Sequence, residues 1–144
     1  MRYLPDVNLW VALCIPTHTF HRVAMERSEA DQRRVLHFCR YTQQGLLRLL
    51  TTSAVTSPYG LRPLTNREVV QRMDGLLSHE RFPFAEEPSG TQEQWFTFAN
   101  VRTASPKLWM DAYLAAFAVV GGYRLMTSDK AFKQFKGLDV EFLA

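Results

Sequence analysis

Three aspartates lie at turns between predicted strands and helices. Asp6 follows a short first strand, Asp111 stands near the start of an apolar helix, and Asp129 follows the strand ending at Thr127. In an open parallel sheet such turns meet at the carboxyl edge of the strands, so residues far apart in the chain share one cleft. Carboxylate oxygens are preferred ligands of Mg²⁺ and Mn²⁺. The pattern therefore predicts hard-metal chemistry at Asp6, Asp111 and Asp129.

Each aspartate also has a purely structural explanation. Asp6 and Asp129 are well placed to cap the helices that follow them, because an aspartate oxygen accepts a hydrogen bond from a free backbone N–H at a helix start. Asp111 lies in a first helical turn, where the helix dipole favours a negative charge. The residues alone leave capping and metal binding both open.

Alternating strands and helices must position these aspartates. Strands are predicted at 2–5, 35–39, 82–85, 123–127 and 140–143, and helices at 7–14, from about 18, from a Thr42 cap to 50, 65–77, 91–101, 109–120 and 129–135. A capping box, Thr65 to Glu68, opens one helix, Gly121 and Gly122 stop another, and 51–63 is predicted to be a loop. The alternation predicts an α/β three-layer sandwich with a mainly parallel central sheet flanked by helices, and residues 1–144 form one domain.

Composition narrows the class of protein. At 144 residues and 47% hydrophobic, the chain can bury a core, and no apolar run approaches the roughly 20 residues of a membrane span. With no secretory leader, we expect a cytoplasmic protein without a membrane partner. Cys14 and Cys39 are expected to be reduced thiols. No Gly-rich phosphate loop or nucleophile elbow is present, which argues against nucleoside triphosphate and acyl-transfer chemistry.

The charge balance gives weak support for a polyanionic partner. The formal charge is +3 and the sequence pI about 9.1. A nucleic acid approaching a carboxylate cleft needs a basic rim, because phosphate contacts dominate its affinity. The lysines near Asp111 and Asp129 are the candidates for this rim: Lys107, Lys130, Lys133 and Lys136.

Five ordered segments resemble the PIN-domain ribonucleases of the VapC toxin type. They are Leu4–Leu9, His18 with His21 and Ala24, Thr42–Leu50, Trp109–Ala116 and Thr127–Phe132. The resemblance implies a PIN-like sheet flanked by helices and RNA cleavage with Mg²⁺ or Mn²⁺ held by acidic residues. It also implies a toxin neutralised by a small antitoxin protein, with a homodimer as a common assembly.

Transferred residue by residue, the resemblance assigns the metal and the catalysis to Asp6, Asp111 and Asp129. Asn8, Gln43 and Ser128 become candidates to orient these carboxylates or a bound water. The chain departs from the family at Gln43, because the segment that usually reads Thr-Glu-Asn-Gly is Thr42-Gln43-Gln44-Gly45 here. An amide brings no charge and cannot act as a base, so we expect weaker metal binding, a preference for one ion, or loss of activity.

Other residues have competing explanations. His18 and His21 are better explained as helix-start polarity than as zinc ligands, and Trp10 and Trp109 as core or dimer residues than as base-stacking groups. The missing acid could be replaced by Glu26, Glu68, Glu86 or Glu87. Exposed apolar residues near Phe117 or Trp95 could support a dimer. Two other functions remain open: a non-cleaving PIN-like module that binds RNA or a protein, and a nuclease acting on DNA.

Overall fold

Four short parallel strands form the central sheet in this computed structural model, which describes residues 1–143. β1 (Arg2–Pro5) lies between β2 (Val35–Leu36) and β3 (Arg124–Thr127), and β4 (Val140–Phe142) pairs with the outer side of β3. The order β2-β1-β3-β4 brings the carboxyl ends of β1 and β3 together at one edge. Asp6 and Asp129 follow those two ends.

Seven α-helices within residues 1–143 surround the sheet. Their bounds are α1 (Val7–Cys14), α2 (His21–Glu29), α3 (Arg40–Leu50), α4 (Ser53–Thr56), α5 (Asn66–Leu77), α6 (Thr91–Ala99) and α7 (Leu108–Gly121). Two short 3₁₀ helices complete the fold, at Ser57–Tyr59 and Lys130–Gln134.

Side chains of the strands alternate between two hydrophobic clusters. Tyr3 and Met126 belong to the cluster that includes residues of α1, α2, α3 and α5, whereas Leu4 and Leu125 belong to the one formed with α6 and α7. Because successive strand residues point to opposite faces, the sheet is covered on both sides. This confirms the predicted α/β sandwich and its parallel sheet.

Local signals for several helix ends are confirmed. Thr65 Oγ1 accepts from the backbone N–H of Glu68 at 3.1 Å and Glu68 Oε1 accepts from that of Thr65 at 3.0 Å, which is the predicted capping box. Gly122 adopts φ 72° at the end of α7, a conformation that side chains disfavour.

The predicted Thr42 cap is wrong. α3 begins at Arg40, and Cys39 is the capping residue, so Thr42 lies three residues inside the cap. Its hydroxyl oxygen accepts from the backbone N–H of Cys39 at 3.0 Å. Thr42 therefore stabilises the start of the helix as its third residue, because a side chain at that position can accept a hydrogen bond from the backbone N–H of the capping residue.

The predicted strands at 35–39 and 82–85 are shortened. β2 pairs with β1 only through Val35 and Leu36, after which Phe38 forms a single bridge with Phe84. Backbone hydrogen bonds nevertheless continue along this segment, from His37 N–H to the Tyr3 carbonyl on one side and from Phe38 N–H to the Pro83 carbonyl on the other. The segment ends at Cys39, which caps α3.

Several other boundaries differ from the prediction. The helix expected at 129–135 is the 3₁₀ helix Lys130–Gln134, and the one expected at 91–101 ends at Ala99. The helix expected from His18 begins at His21, and the loop expected at 51–63 contains α4 and the 3₁₀ turn Ser57–Tyr59. α4 has no side-chain hydrogen bond at its cap. It packs against α3, so tertiary contact rather than a sequence signal accounts for it.

A glycine sets the distance between α1 and α3. A Cβ atom added to Gly45 would lie 2.6 Å from Val7 Cγ2, closer than two such atoms can approach. Any side chain at position 45 would therefore push the first turn of α1 away from α3. No helix in the described part of the chain is both long and apolar enough to cross a membrane.

Candidate active site

Asp6 is a buried carboxylate at the junction of β1 and α1. It is 6% exposed and caps α1, with Oδ1 accepting from the backbone N–H of Leu9 at 2.9 Å. The other oxygen, Oδ2, accepts from the hydroxyl of Thr127. The predicted capping role is therefore present, and because each carboxylate oxygen has further acceptor capacity it does not exclude a metal.

Thr127 connects Asp6 with Asp129. It is the last residue of β3 and fully buried; its Oγ1 donates to Asp6 and accepts from the backbone N–H of Asp129 at 3.0 Å. Asp129 in turn caps the 3₁₀ helix by accepting from Ala131 N at 2.9 Å. The sequence reasoning missed Thr127 as a functional residue, although a threonine that ends a buried strand just before Ser-Asp was a usable signal.

The three aspartates share one electrostatic environment. Burial raises the pKa of Asp6 to about 6, against the lowering effect of the hydrogen bonds from Thr127 and Leu9, and the charges of Asp129 and Asp111 raise it further. Burial and, second, the charge of Asp129 also raise the pKa of Asp111. The fold thus places Asp111 and Asp129 close enough to Asp6 for their charges to act on it, although both lie more than a hundred positions away in the chain.

This arrangement fits a divalent ion held by few protein ligands. Within residues 1–143, no three His, Cys, Asp or Glu side chains lie close enough together to hold one ion by themselves. Mg²⁺ commonly binds through one or two carboxylates and completes its octahedron with waters and substrate phosphate. Repulsion between neighbouring carboxylates is relieved when a divalent cation enters, so the charges around Asp6 favour such an ion.

Gln43 is buried on α3 and already has a cationic partner. Its Oε1 accepts from Arg40 Nη1 at 2.7 Å, and the Arg40 guanidinium lies 4.7 Å from the centre of the Phe84 ring. A buried carbonyl paired with a guanidinium is a satisfied group. Among the described residues, no hydrogen bond joins Gln43 to the three aspartates.

Two tyrosines extend the site beyond the predicted residues. Burial raises the pKa of Tyr41, and the charges of Asp111 and Asp6 raise it further. Its ring meets that of Tyr113 edge to face at 6.0 Å, and the Tyr113 hydroxyl donates to Glu87 Oε1 at 2.6 Å. Sequence reasoning passed over both, although Tyr113 lies two residues after Asp111.

Asn8, two residues after Asp6, and Ser128, which directly precedes Asp129, line cavities. Asn8 faces a cavity of 540 Å³ with Tyr41, Gln44 and Arg48. On another side Asn8 and Ser128 share a cavity of 250 Å³ with His18. Neither side chain hydrogen-bonds to an aspartate in the described part of the chain. Each cavity is thus lined by residues that are neighbours of the aspartates in the sequence.

The remaining candidates lie in other environments. His21 Nδ1 is 2.7 Å from the carbonyl oxygen of Ala12, and the His18 ring stacks on Tyr59 at 4.7 Å. Glu26 pairs with Arg22 and Glu68 with Arg62. These contacts account for the polar groups without a metal.

The predicted apolar surface is correct only in part. Trp10 is fully buried and stacks on Phe38 at 3.8 Å, as expected of a core residue. Phe117 is also buried, at 1% exposed, because it lies on the inner side of α7; the expectation of exposed apolar surface there was wrong. Trp109, near Trp95, is 48% exposed.

Comparison with known proteins gives relatives along nearly the whole chain. It is 46% identical over 143 residues to Ribonuclease VapC41 of Mycobacterium tuberculosis, in two strains, covering 98% of this chain and 98% of the relative. No protein-family model matches the chain.

Solved structures share the fold at low sequence identity. VapBC2 of Rickettsia felis, bound to a promoter DNA fragment, matches with a TM-score of 0.67 at 14% identity, covering 99% of this chain and 98% of that one. DNA-bound VapBC of Salmonella typhimurium matches at 0.65 and 15%, over 100% and 99%. The sarcin-ricin loop cleaving toxin VapC20 of M. tuberculosis matches at 0.62 and 19%, over 95% and 98%.

Proposed function

Because this chain belongs to the VapC ribonuclease family, we propose that it is a divalent-metal-dependent endoribonuclease that hydrolyses RNA phosphodiester bonds at the Asp6, Asp111 and Asp129 cleft. The observation that carries this proposal is the shared field of the three aspartates, in which Asp129 and Asp111 raise the pKa of Asp6. A buried carboxylate such as Asp6 that also lies near two other negative charges is costly to ionise unless a cation compensates it.

Asp6 and Asp111 are the principal ligands in this proposal, and Asp129 positions a metal-bound water, because no three of the described acidic side chains lie close enough together to hold one ion. When bound, Mg²⁺ or Mn²⁺ supplies polarisation of the scissile phosphate and a lowered pKa for a bound water. Thr127 fixes the orientation of the Asp6 carboxylate, since the two are hydrogen-bonded. Asn8 and Ser128, which line one cavity together, are proposed to orient water or substrate.

The biological role proposed is that of a toxin neutralised by an antitoxin. Two of the structural relatives are VapBC assemblies bound to DNA, and one is an RNA-cleaving toxin, which supports this role. In a homodimer, the exposed aromatic residues Phe96 and Trp109 would be candidates for contact. Growth arrest on expression of this chain alone, relieved by the product of a neighbouring gene, is the expected cellular effect.

Cleavage of structured RNA by the purified protein tests the function directly. We expect cutting with Mg²⁺ or Mn²⁺ and none with EDTA, because the carboxylate field has to be neutralised before a phosphate can approach. A single-stranded DNA of the same sequence serves as the competitor. Cutting that persists unchanged in EDTA would contradict the metal-dependent assignment, and preferred cleavage of the DNA would favour a deoxyribonuclease.

A second candidate function, RNA or protein binding without cleavage, is favoured by Gln43. Its carbonyl is already paired with Arg40, and it brings no negative charge to the cleft. Arg40 affects the Gln43→Glu experiment that separates the two functions, because it would form an ion pair with a glutamate at position 43.

For an active enzyme, we expect Gln43→Glu to change the cleavage rate by less than about tenfold, or about 1.4 kcal/mol. The new carboxylate would be paired with the Arg40 guanidinium and would add little charge to the cleft. Single-turnover cleavage measures this, with Gln71→Glu, an exposed position on α5, as the matched charge control. Cleavage that appears only in Gln43→Glu would instead identify the natural chain as the binding module.

A further inference from the structure

One face of α3 lines a cavity beside the carboxylates. Tyr41, Gln44 and Arg48 recur at helical spacing, so they lie on the same side of the helix. Together with Asn8 they line the cavity of 540 Å³, whose other lining residues are Val7, Gly45, Leu49 and Met110. Cavities of about 300 to 1,000 Å³ accommodate small organic ligands. This cavity is therefore large enough for a nucleotide.

The lining of the cavity includes residues that are neighbours of two of the aspartates in the sequence. Val7 and Asn8 directly follow Asp6, and Met110 directly precedes Asp111. Tyr41 lies near both aspartates and Arg48. Its pKa is raised by burial and further by the charges of Asp111 and Asp6, and the charge of Arg48 lowers it. An RNA whose scissile phosphate lies at the aspartates would thus place its next nucleotide in the cavity.

Arg48 is the only formal charge among the residues that line the cavity. Its side chain is exposed and, within residues 1–143, forms no ion pair or hydrogen bond; only its backbone carbonyl accepts bonds, from Thr51 and Thr52. Arg22, Arg33 and Arg62, in contrast, are paired with carboxylates. A guanidinium left free in such a cavity suits a phosphate, which it can bind through two parallel N–H donors.

We propose that the cavity lined by Asn8, Tyr41, Gln44 and Arg48 is a subsite for the RNA nucleotide adjoining the cleaved bond, with Arg48 binding its phosphate. The amides of Asn8 and Gln44 supply donors and acceptors for the sugar or the base edge, and the Tyr41 ring supplies an aromatic face. This inference rests on the proposed ribonuclease function. Arg48 is a binding residue in it and takes no part in bond breaking.

Substitution of Arg48 tests the subsite by two readouts. We expect Arg48→Gln to raise KM for RNA about tenfold while kcat changes little, as for one lost charge-assisted contact. In the non-cleaving Asp6→Asn background with EDTA, the same change should weaken binding of single-stranded RNA and reduce the slope of log K against log salt by about 0.7. Arg48→Lys should recover part of the affinity, because it keeps the charge without the fork.

Arg67→Gln is the matched control, since Arg67 is exposed on α5 and lines none of the cavities described above. Thermal unfolding of each variant verifies that it is folded. Equal effects of Arg48→Gln and Arg67→Gln on KM and on the salt slope would overturn the subsite. So would unchanged RNA binding combined with lost binding of a co-expressed protein partner. Absence of cleavage by the natural chain would instead count against the nuclease function, and the binding assay would still decide the role of Arg48.

Discussion

Asp6→Asn is expected to lower the rate of RNA cleavage by about a thousandfold. Removal of a principal ligand loses most of the electrostatic stabilisation that a metal supplies, which is worth several kcal/mol, and about 4 kcal/mol corresponds to a thousandfold in rate. The variant should remain folded, because an asparagine Oδ1 can still accept from the backbone N–H of Leu9 and cap α1. Single-turnover cleavage at saturating Mg²⁺ or Mn²⁺ measures the effect.

Asp74→Asn provides the matched control for this result. Asp74 is exposed on α5, so its substitution removes the same charge without altering the cleft. Its cleavage rate should equal that of the natural chain. A wild-type rate for Asp6→Asn would show that Asp6 only caps α1, and the proposed metal assignment would then be wrong.

The second large effect concerns the stability of the metal-free protein against pH. Asp6 has a pKa of about 6 in the folded protein and an ordinary value of 3.8. Between these values the unfolded chain has released a proton that the folded chain retains, so folding is progressively disfavoured as the pH rises. The difference of about two pKa units corresponds to about 3 kcal/mol, lost between about pH 4 and pH 6.

Urea unfolding in EDTA at pH 3.5 and at pH 7 measures this loss, with Asp6→Asn as the reference because it cannot ionise. The free energy of unfolding of the natural chain relative to the variant should fall by about 3 kcal/mol across this range. Addition of Mg²⁺ or Mn²⁺ at pH 7 should stabilise the natural chain more than the variant. A difference that does not change with pH would contradict the burial of an ionising Asp6.

Sequence patterns predicted most of the framework because they act locally. The Thr65 capping box and the Gly122 helix stop depend on backbone groups a few residues away, so they can be predicted from the sequence alone. The apolar stretches that became β1 and α7 are also legible, since both are buried. The parallel direction of the strands follows from the alternation of strands and helices.

The wrong boundaries arise where distant contacts compete with local preference. Thr42 has the side chain of a capping residue, but α3 begins at Arg40, with Cys39 as its capping residue. α4 carries no capping signal and depends on α3. Phe117 could not be placed on the inner side of α7 from the sequence, because this helix is apolar on nearly every side.

The candidate site was predictable at its carboxylates and not around them. Asp6 and Asp129 follow strands, and this placement alone indicated a shared cleft. The pairing of Gln43 with Arg40 and the approach of Tyr41 to Asp111 depend on how α3 packs against its neighbours. The helical spacing of Tyr41, Gln44 and Arg48 is present in the sequence, but the sequence does not show that this face of α3 lies near the aspartates.

The close packing of Gly45 against Val7 links the size of the proposed nucleotide subsite to the position of Asp6, a proposed metal ligand. Both residues line the cavity, and Val7 directly follows Asp6. Filling the cavity from position 45 would therefore displace Asp6 as well, so that nucleotide preference and catalytic rate would change together. Selectivity can be altered independently of this packing at an exposed lining position such as Gln44, whereas Arg48, as a phosphate ligand, sets affinity and not base preference. Engineering or natural divergence of substrate choice on α3 should accordingly be concentrated at Gln44, with Gly45 held fixed.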